Sequence, residues 1–171
     1  MSTPTTDIDT NAPPISSKAE MIATLSKGCK LASDWKIGTE HEKFGFIRDG
    51  LKPLPYEGRQ SINTILTALT TDFGWTPLVE TGNIIGCVKN GASVSLEPGG
   101  QLELSGAPLE SLHQTCNEIT SHINELQAIC EPIGVNFIGL GASPMWSLED
   151  TPMMPKGRYG LMKAYMPKVG R

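Results

Sequence analysis

IIGCVKNGASVSLEPGGQLELS, residues 84–105, decides the architecture. Two β-rich runs, IIGCV and SVSLE, flank Lys89-Asn90-Gly91-Ala92. Asn-Gly between such runs signals a hairpin, because both residues accept a positive φ at little cost. The segment from Ser95 to Ser105 also has strand character, with Leu102 and Leu104 pointing one way and Gln101, Glu103 and Ser105 the other. Pro98-Gly99-Gly100 inside it implies a bulge or a close approach to the backbone. Depending on that bulge, Glu97 falls on the Glu103 side or on the opposite one. Antiparallel strands with one apolar and one polar face are expected.

Toward the amino terminus, KIGTEHEKFGFI (36–47) reads as another strand, which puts Glu40, Glu42, Phe44 and Phe46 on one face. Asp49-Gly50 supplies a turn before the proline-interrupted edge segment LKPLPY. Ile62, Ile65, Leu66 and Leu69 predict an amphipathic helix over 60–72, and a strand is expected near Trp75–Glu80. Ser17-x-x-Glu20 reads as a capping box opening a helix to about Leu31 that buries Met21, Ile22 and Leu25. Residues 1–15 are expected to be a disordered tail, leaving 16–171 as one unit. Toward the carboxy terminus, Pro108 suits the first turn of a long helix. Its stripe is Leu109, Leu112, Cys116, Ile119, Ile123, Leu126 and Cys130, which favours packing on a sheet over a coiled coil. VNFIGLG after Gly134 reads as a buried strand, and 142–171 as loop with a further short helix. The expected fold class is α+β, antiparallel strands with helices on one face.

Composition narrows the function. Apolar residues at 39% and charged residues at 19% are ordinary for a folded domain. A formal charge of −4 gives no general attraction to nucleic acid or anionic membrane. No run reaches the roughly 18 apolar residues of a membrane helix. The four cysteines contain no C-x-x-C pair, and Cys116 and Cys130 on the helical stripe are expected to be buried reduced thiols. MSTPTTDIDTNAPP has no secretion h-region and, with Asp7, Asp9 and a first arginine at Arg48, is unlike a mitochondrial transit peptide. A bacterial-type cytoplasm is the expectation.

Acids and bases are segregated. Glu40 and Glu42 lie beside two aromatic rings on one strand, and Glu97 and Glu103 border a glycine pair on another. A lone E-x-E most often faces water, but carboxylates that converge repel one another and call for a proton or a cation. Hard oxygen ligands select magnesium. Lys156, Arg158, Lys163, Lys168 and Arg171 place five of fourteen basic residues in the last sixteen positions, whereas 90–155 has none. Arg158 can clamp a carboxylate bidentately or meet a phosphoryl group. By itself such a stretch is more often solvated. His113 and His122 lie off the apolar stripe and read as surface residues, and no histidine has metal-ligand spacing. Gly139-x-Gly141 lacks the third glycine of a dinucleotide motif. There is no Ser/His/Asp or Cys/His constellation for covalent catalysis.

IGTEHEKFGF at 37–46, LEPGGQLELSGAPLESLHQTC at 96–116 and MPKGRYGLMKAYMPKVG at 154–170 resemble, in order, the plant and proteobacterial type of glutamate–cysteine ligase. The resemblance implies a glutamine-synthetase-like antiparallel sheet forming a funnel over the active site. It implies ATP and Mg2+ as cofactors, with Glu40, Glu42, Glu97 and Glu103 as magnesium ligands at the ATP phosphates and Gln101 nearby. Arg158 would contact substrate or phosphate, with Tyr159 and Lys163 beside it. The implied reaction joins the L-glutamate γ-carboxylate to the L-cysteine amine through a γ-glutamyl phosphate, the first step of glutathione biosynthesis. Positioning and charge neutralisation suffice for such phosphoryl transfer. The alternatives are another ATP-dependent carboxylate–amine ligase of the same fold, or an inactive fragment. Family enzymes are longer, and this sequence stops inside a matching block, so it is expected to be an amino-terminal part without ligase activity alone.

Overall fold

Positive backbone angles at Asn90 (φ 51°) and Gly91 (φ 84°) fold the central hairpin back on itself, as their side chains allow. The computed structural model describes residues 13–170, so most of the tail expected over residues 1–15 lies outside the described residues. In chain order the elements are α1 (Lys18–Ser26), β1 (Glu40–Ile47), β2 (Lys52–Pro53), α2 (Ile62–Asp72), β3 (Thr76–Glu80), β4 (Asn83–Lys89), β5 (Ala92–Leu96), β6 (Gln101–Ser105), α3 (Leu112–Cys130), β7 (Val135–Ile138) and α4 (Gly157–Val169). The seven strands form one sheet in the order β2-β1-β6-β5-β4-β3, with β7 also paired to β1. Every pairing is antiparallel. The α+β expectation holds.

One face of the sheet is apolar because alternate strand residues are. Val94, Leu96, Leu102 and Leu104 meet the stripe of α2, whose Ile62, Ile65, Leu66 and Leu69 are fully buried. Each such side chain stabilises by roughly 1.5–3 kcal/mol. Ser61 caps α2 and Ser111 caps α3, the latter in a capping box with Gln114. No helix among the described residues is long and apolar enough to cross a membrane.

Several expectations are corrected. The helix opened by Ser17 ends at Ser26 and buries nothing, because no described element packs against Met21, Ile22 or Leu25. The Ser17 hydroxyl accepts from the Glu20 amide as the box requires, and the Glu20 carboxylate reaches back to accept from the Ser16 amide. Pro98-Gly99-Gly100 is no bulge: Gly99 (φ 77°) and Gly100 (φ 78°) reverse the chain, so the segment is two strands joined by a tight turn. The buried face of α3 is rotated from the apolar stripe. Thr115, His122, Leu126 and Cys130 face the sheet, while Leu112 and Cys116 face outward. Cys116 is thus exposed and His122 buried, the reverse of both readings. β7 buries only Val135 fully and serves as a half-covered strand beside β1.

Candidate carboxylate site

The antiparallel register settles which side chains share the face away from α2. Glu42 lies opposite Glu103, and Glu40 opposite Ser105. Glu103 lies opposite Ser95, which lies opposite Gly86. Residues directly opposite point to the same face, so Glu42, Glu103, Ser95 and Gly86 make one row across four strands. With strands about 4.8 Å apart, small residues flank the central acid and leave room above it. Because the chain turns at Pro98, Glu97 keeps the parity of Ser93 and Ser95 and joins this face.

Glu103 is 4% exposed. It accepts hydrogen bonds from Ser105 Oγ (3.0 Å) and Ser95 Oγ (3.4 Å). Its charge also bears on the carboxyl of Glu97. Burial pushes the Glu97 carboxyl above the usual carboxylate range; Lys156 and Arg158 pull it down, and Glu103 pushes it the same way as burial. Arg158 donates to Glu97 Oε1 at 3.2 Å, and Lys156 Nζ stands 4.0 Å from the same oxygen. On the neighbouring strand Gln101 Nε2 donates to Glu42 Oε2 at 3.2 Å.

Of the residues singled out in the sequence, Glu97, Glu103 and Arg158 form one group, and Glu42 with Gln101 lies beside it. Glu40 is on the same face, one step along β1 and exposed. Tyr159 is buried, and its hydroxyl donates to the Leu96 carbonyl at 2.7 Å, which docks α4 on the end of β5. Lys163 is exposed on α4, away from the group. Sequence reading gave no site role to Lys156, whose Nζ also donates to the Leu96 carbonyl (2.7 Å), or to the two serines that hold Glu103. The period of two through Ser93-Ser95-Glu97 and Gln101-Glu103-Ser105 is the signal that finds the serines. Beside Glu42, Phe44 and Phe46 open an apolar pocket of about 140 Å³ with Ile138 and Trp146. Phe44 and Trp146 meet edge to face at 5.8 Å.

Together, the antiparallel sheet and a face that gathers Glu97, Glu103, Lys156 and Arg158 define an α+β protein with a cluster of opposite charges on one side of its sheet. The chain belongs to glutamate–cysteine ligase family 2 (GCS2), whose family model matches residues 36–171. It is 52% identical over 153 residues to the chloroplastic glutamate–cysteine ligase A of Oryza sativa subsp. japonica, covering 90% of this chain and 30% of that protein. It is 50% identical over 169 residues to the chloroplastic glutamate–cysteine ligase of Medicago truncatula, covering 99% and 32%. The Arabidopsis thaliana enzyme, also named chloroplastic, is 49% identical over 153 residues, covering 90% and 29%. The chain thus spans about a third of the length of these relatives. Their naming as chloroplastic overturns the expectation of a bacterial-type cytoplasm: lack of a recognisable leader over fourteen residues carries no weight against such kinship.

Proposed function

We propose that this chain supplies the magnesium- and ATP-binding side of a ligase that joins the γ-carboxylate of L-glutamate to the amine of L-cysteine. The observation that carries the reading is that Glu97 and the buried Glu103 share one face of the sheet, where burial and Glu103 hold the Glu97 carboxyl above the usual range despite two nearby cations. Such a pair has the donor chemistry of a hard divalent cation site. Among the described residues no three His, Cys, Asp or Glu side chains are grouped to hold a metal ion. That still suits magnesium, which takes one or two carboxylates and completes its shell with phosphate and water. Glu103 and Glu97 would hold it, with Glu42 beside them, and when bound it supplies charge neutralisation between nucleotide phosphates. Ser95 and Ser105 orient Glu103, and Lys156 offsets the local negative charge. Arg158, half exposed, is free to exchange Glu97 for a substrate carboxylate or phosphoryl oxygen. The apolar pocket at Phe44, Phe46 and Trp146 offers a seat for the nucleotide base.

The test uses a protein of the relatives' length that carries this chain. Glu103→Gln is expected to abolish magnesium-dependent ATP binding by calorimetry and to lower glutamate- and cysteine-dependent ADP release by about 100-fold or more, the scale of a lost charge-stabilising group. Unchanged Mg-ATP affinity in that variant overturns the assignment.

A further inference from the structure

Behind Glu42 and Glu103, on the helix side of the sheet, lies a cleft of about 820 Å³ between α3 and the β1–β7 pair. His41, Lys43, Leu126, Gln127, Asn136 and Phe137 are among its lining residues. Its polar groups are short of partners. Lys43 is 4% exposed, and its ammonium makes one hydrogen bond, to the His41 carbonyl at 2.7 Å. An ammonium carries three donors, so two lack an acceptor among the described residues. His122 is 2% exposed, and neither of its ring nitrogens is bonded; His41 Nδ1 is buried and unbonded as well. Burial, and then Lys43 and His41, hold the His122 imidazole uncharged behind the cleft. Folded proteins rarely leave buried donors unmatched, and a buried ammonium is the costliest to leave so.

We infer that this cleft is a binding site for a small organic monocarboxylate with an apolar body. Its carboxylate sits on the Lys43 ammonium, with the His41 imidazole as second donor, and its body lies against Leu126 and Phe137. The charge balance selects the class. The cleft's own acid, Glu131, is held at its rim by Arg48 at 3.2 Å. Lys43 already feels the Glu103 carboxylate from the other face of the sheet, so a singly charged carboxylate burdens the cleft less than a phosphate dianion, which would bury a further unmatched charge. The apolar walls, Ile123, Leu126 and Phe137, suit hydrocarbon better than a second polar group. The inference does not depend on the proposed ligase reading. It has a consequence for that site, however, because Lys43 lies between Glu42 and Phe44 in β1. An occupant that fixes Lys43 also fixes the strand carrying Glu42.

The Trp75 ring lies 6.3 Å from that of His122 and reports on the site. In a Trp35→Phe/Trp146→Phe background, hexanoate is expected to give a saturable fluorescence change. Hexanol and inorganic phosphate should bind at least ten times more weakly. Lys43→Met is expected to remove the hexanoate response. Gln127→Trp, an exposed change at the rim that leaves Lys43 in place, should remove protection of the Lys43 region by hexanoate in hydrogen exchange, which keeps the test decisive if Lys43→Met does not fold. Equal responses to hexanol or phosphate, or undiminished protection in Gln127→Trp, overturn the inference. So does loss of hexanoate binding in a protein of the relatives' length, which would show an acid of the remaining polypeptide in the cleft.

Discussion

Gly86 is where a single methyl group matters most to the row of residues that holds Glu103. A Cβ there would meet the Val94 carbonyl oxygen at 2.6 Å, a backbone atom in the next strand that cannot swing aside. Gly86→Ala is expected to cost about 1–3 kcal/mol, the range for overpacking, read as a lowered urea midpoint. An unchanged midpoint would mean that β4 and β5 separate freely. His122 acts through its proton. Burial, then Lys43 and His41, push its imidazole down to about 3, while in the unfolded chain it titrates near 6.5. Between those values the unfolded state binds more protons, so stability rises with pH and is lost as pH falls from about 6.5 toward 3. The slope from this one group is at most about 1.4 kcal/mol per pH unit. Glu118 and Glu125 on the same helix are engaged elsewhere, by the Ala107 amide and by Trp75 with Lys89. His122→Leu should therefore flatten the acid limb of urea midpoints measured from pH 7 to 4, and an unchanged limb would place the loss in other groups.

At the scale of elements, α4 is fastened at one end. Tyr159 and Lys156 both donate to the Leu96 carbonyl, and the Gly157 amide donates to Glu80 Oε1 at 2.8 Å. The rest of the helix presents Leu161, Met162, Tyr165 and Met166 to solvent. Tyr159→Phe removes one of these ties and is expected to cost about 1 kcal/mol. The loss should appear as faster amide exchange confined to α4 and a weaker hold of Arg158 on Glu97, and uniform exchange would show that the helix is fastened elsewhere. How much of this was legible follows from what kind of signal each element carries. The β4–β5 hairpin and α2 were readable because Asn90-Gly91 and the i, i+3, i+4, i+7 stripe are local. That Glu40 sides with Glu42, and Glu103 with Gln101 and Ser105, was readable because strand parity is local too, whereas bringing the two sets to one face took the β1–β6 register. The side of Glu97 was not, since it hinged on whether two glycines bulge a strand or reverse it. The orientation of α3 was not, since Thr115 and His122 were buried by tertiary packing against β1 and Trp75 that no periodicity records. The tie between Glu97 and Arg158 joins residues sixty-one positions apart, beyond the reach of any motif.

Among the described residues, α1 and α4 both present uncovered apolar side chains, and these govern how the chain behaves alone. On α1, Met21, Ile22 and Leu25 are exposed, with Leu25 at 80%. Along α4, Leu161, Tyr165 and Val169 are exposed in the same way. Monomeric proteins seldom leave contiguous patches of this kind in water, and at about 25 cal/mol per Å² of apolar area removed from water even partial coverage of two helices outweighs the weak repulsion of a net charge of −4. The 171-residue chain is therefore expected to self-associate at micromolar concentration and to enhance the fluorescence of an apolar dye. Leu161→Lys with Tyr165→Lys should restore a monomer in sedimentation without lowering the urea midpoint, because neither side chain belongs to the buried core. If the doubly substituted chain still associates, the sticky surface is α1, and Leu25→Lys is then the substitution that separates the copies. If neither substitution acts, association runs through the strand edges of β3 or β7, where unpaired backbone groups template pairing with a second chain.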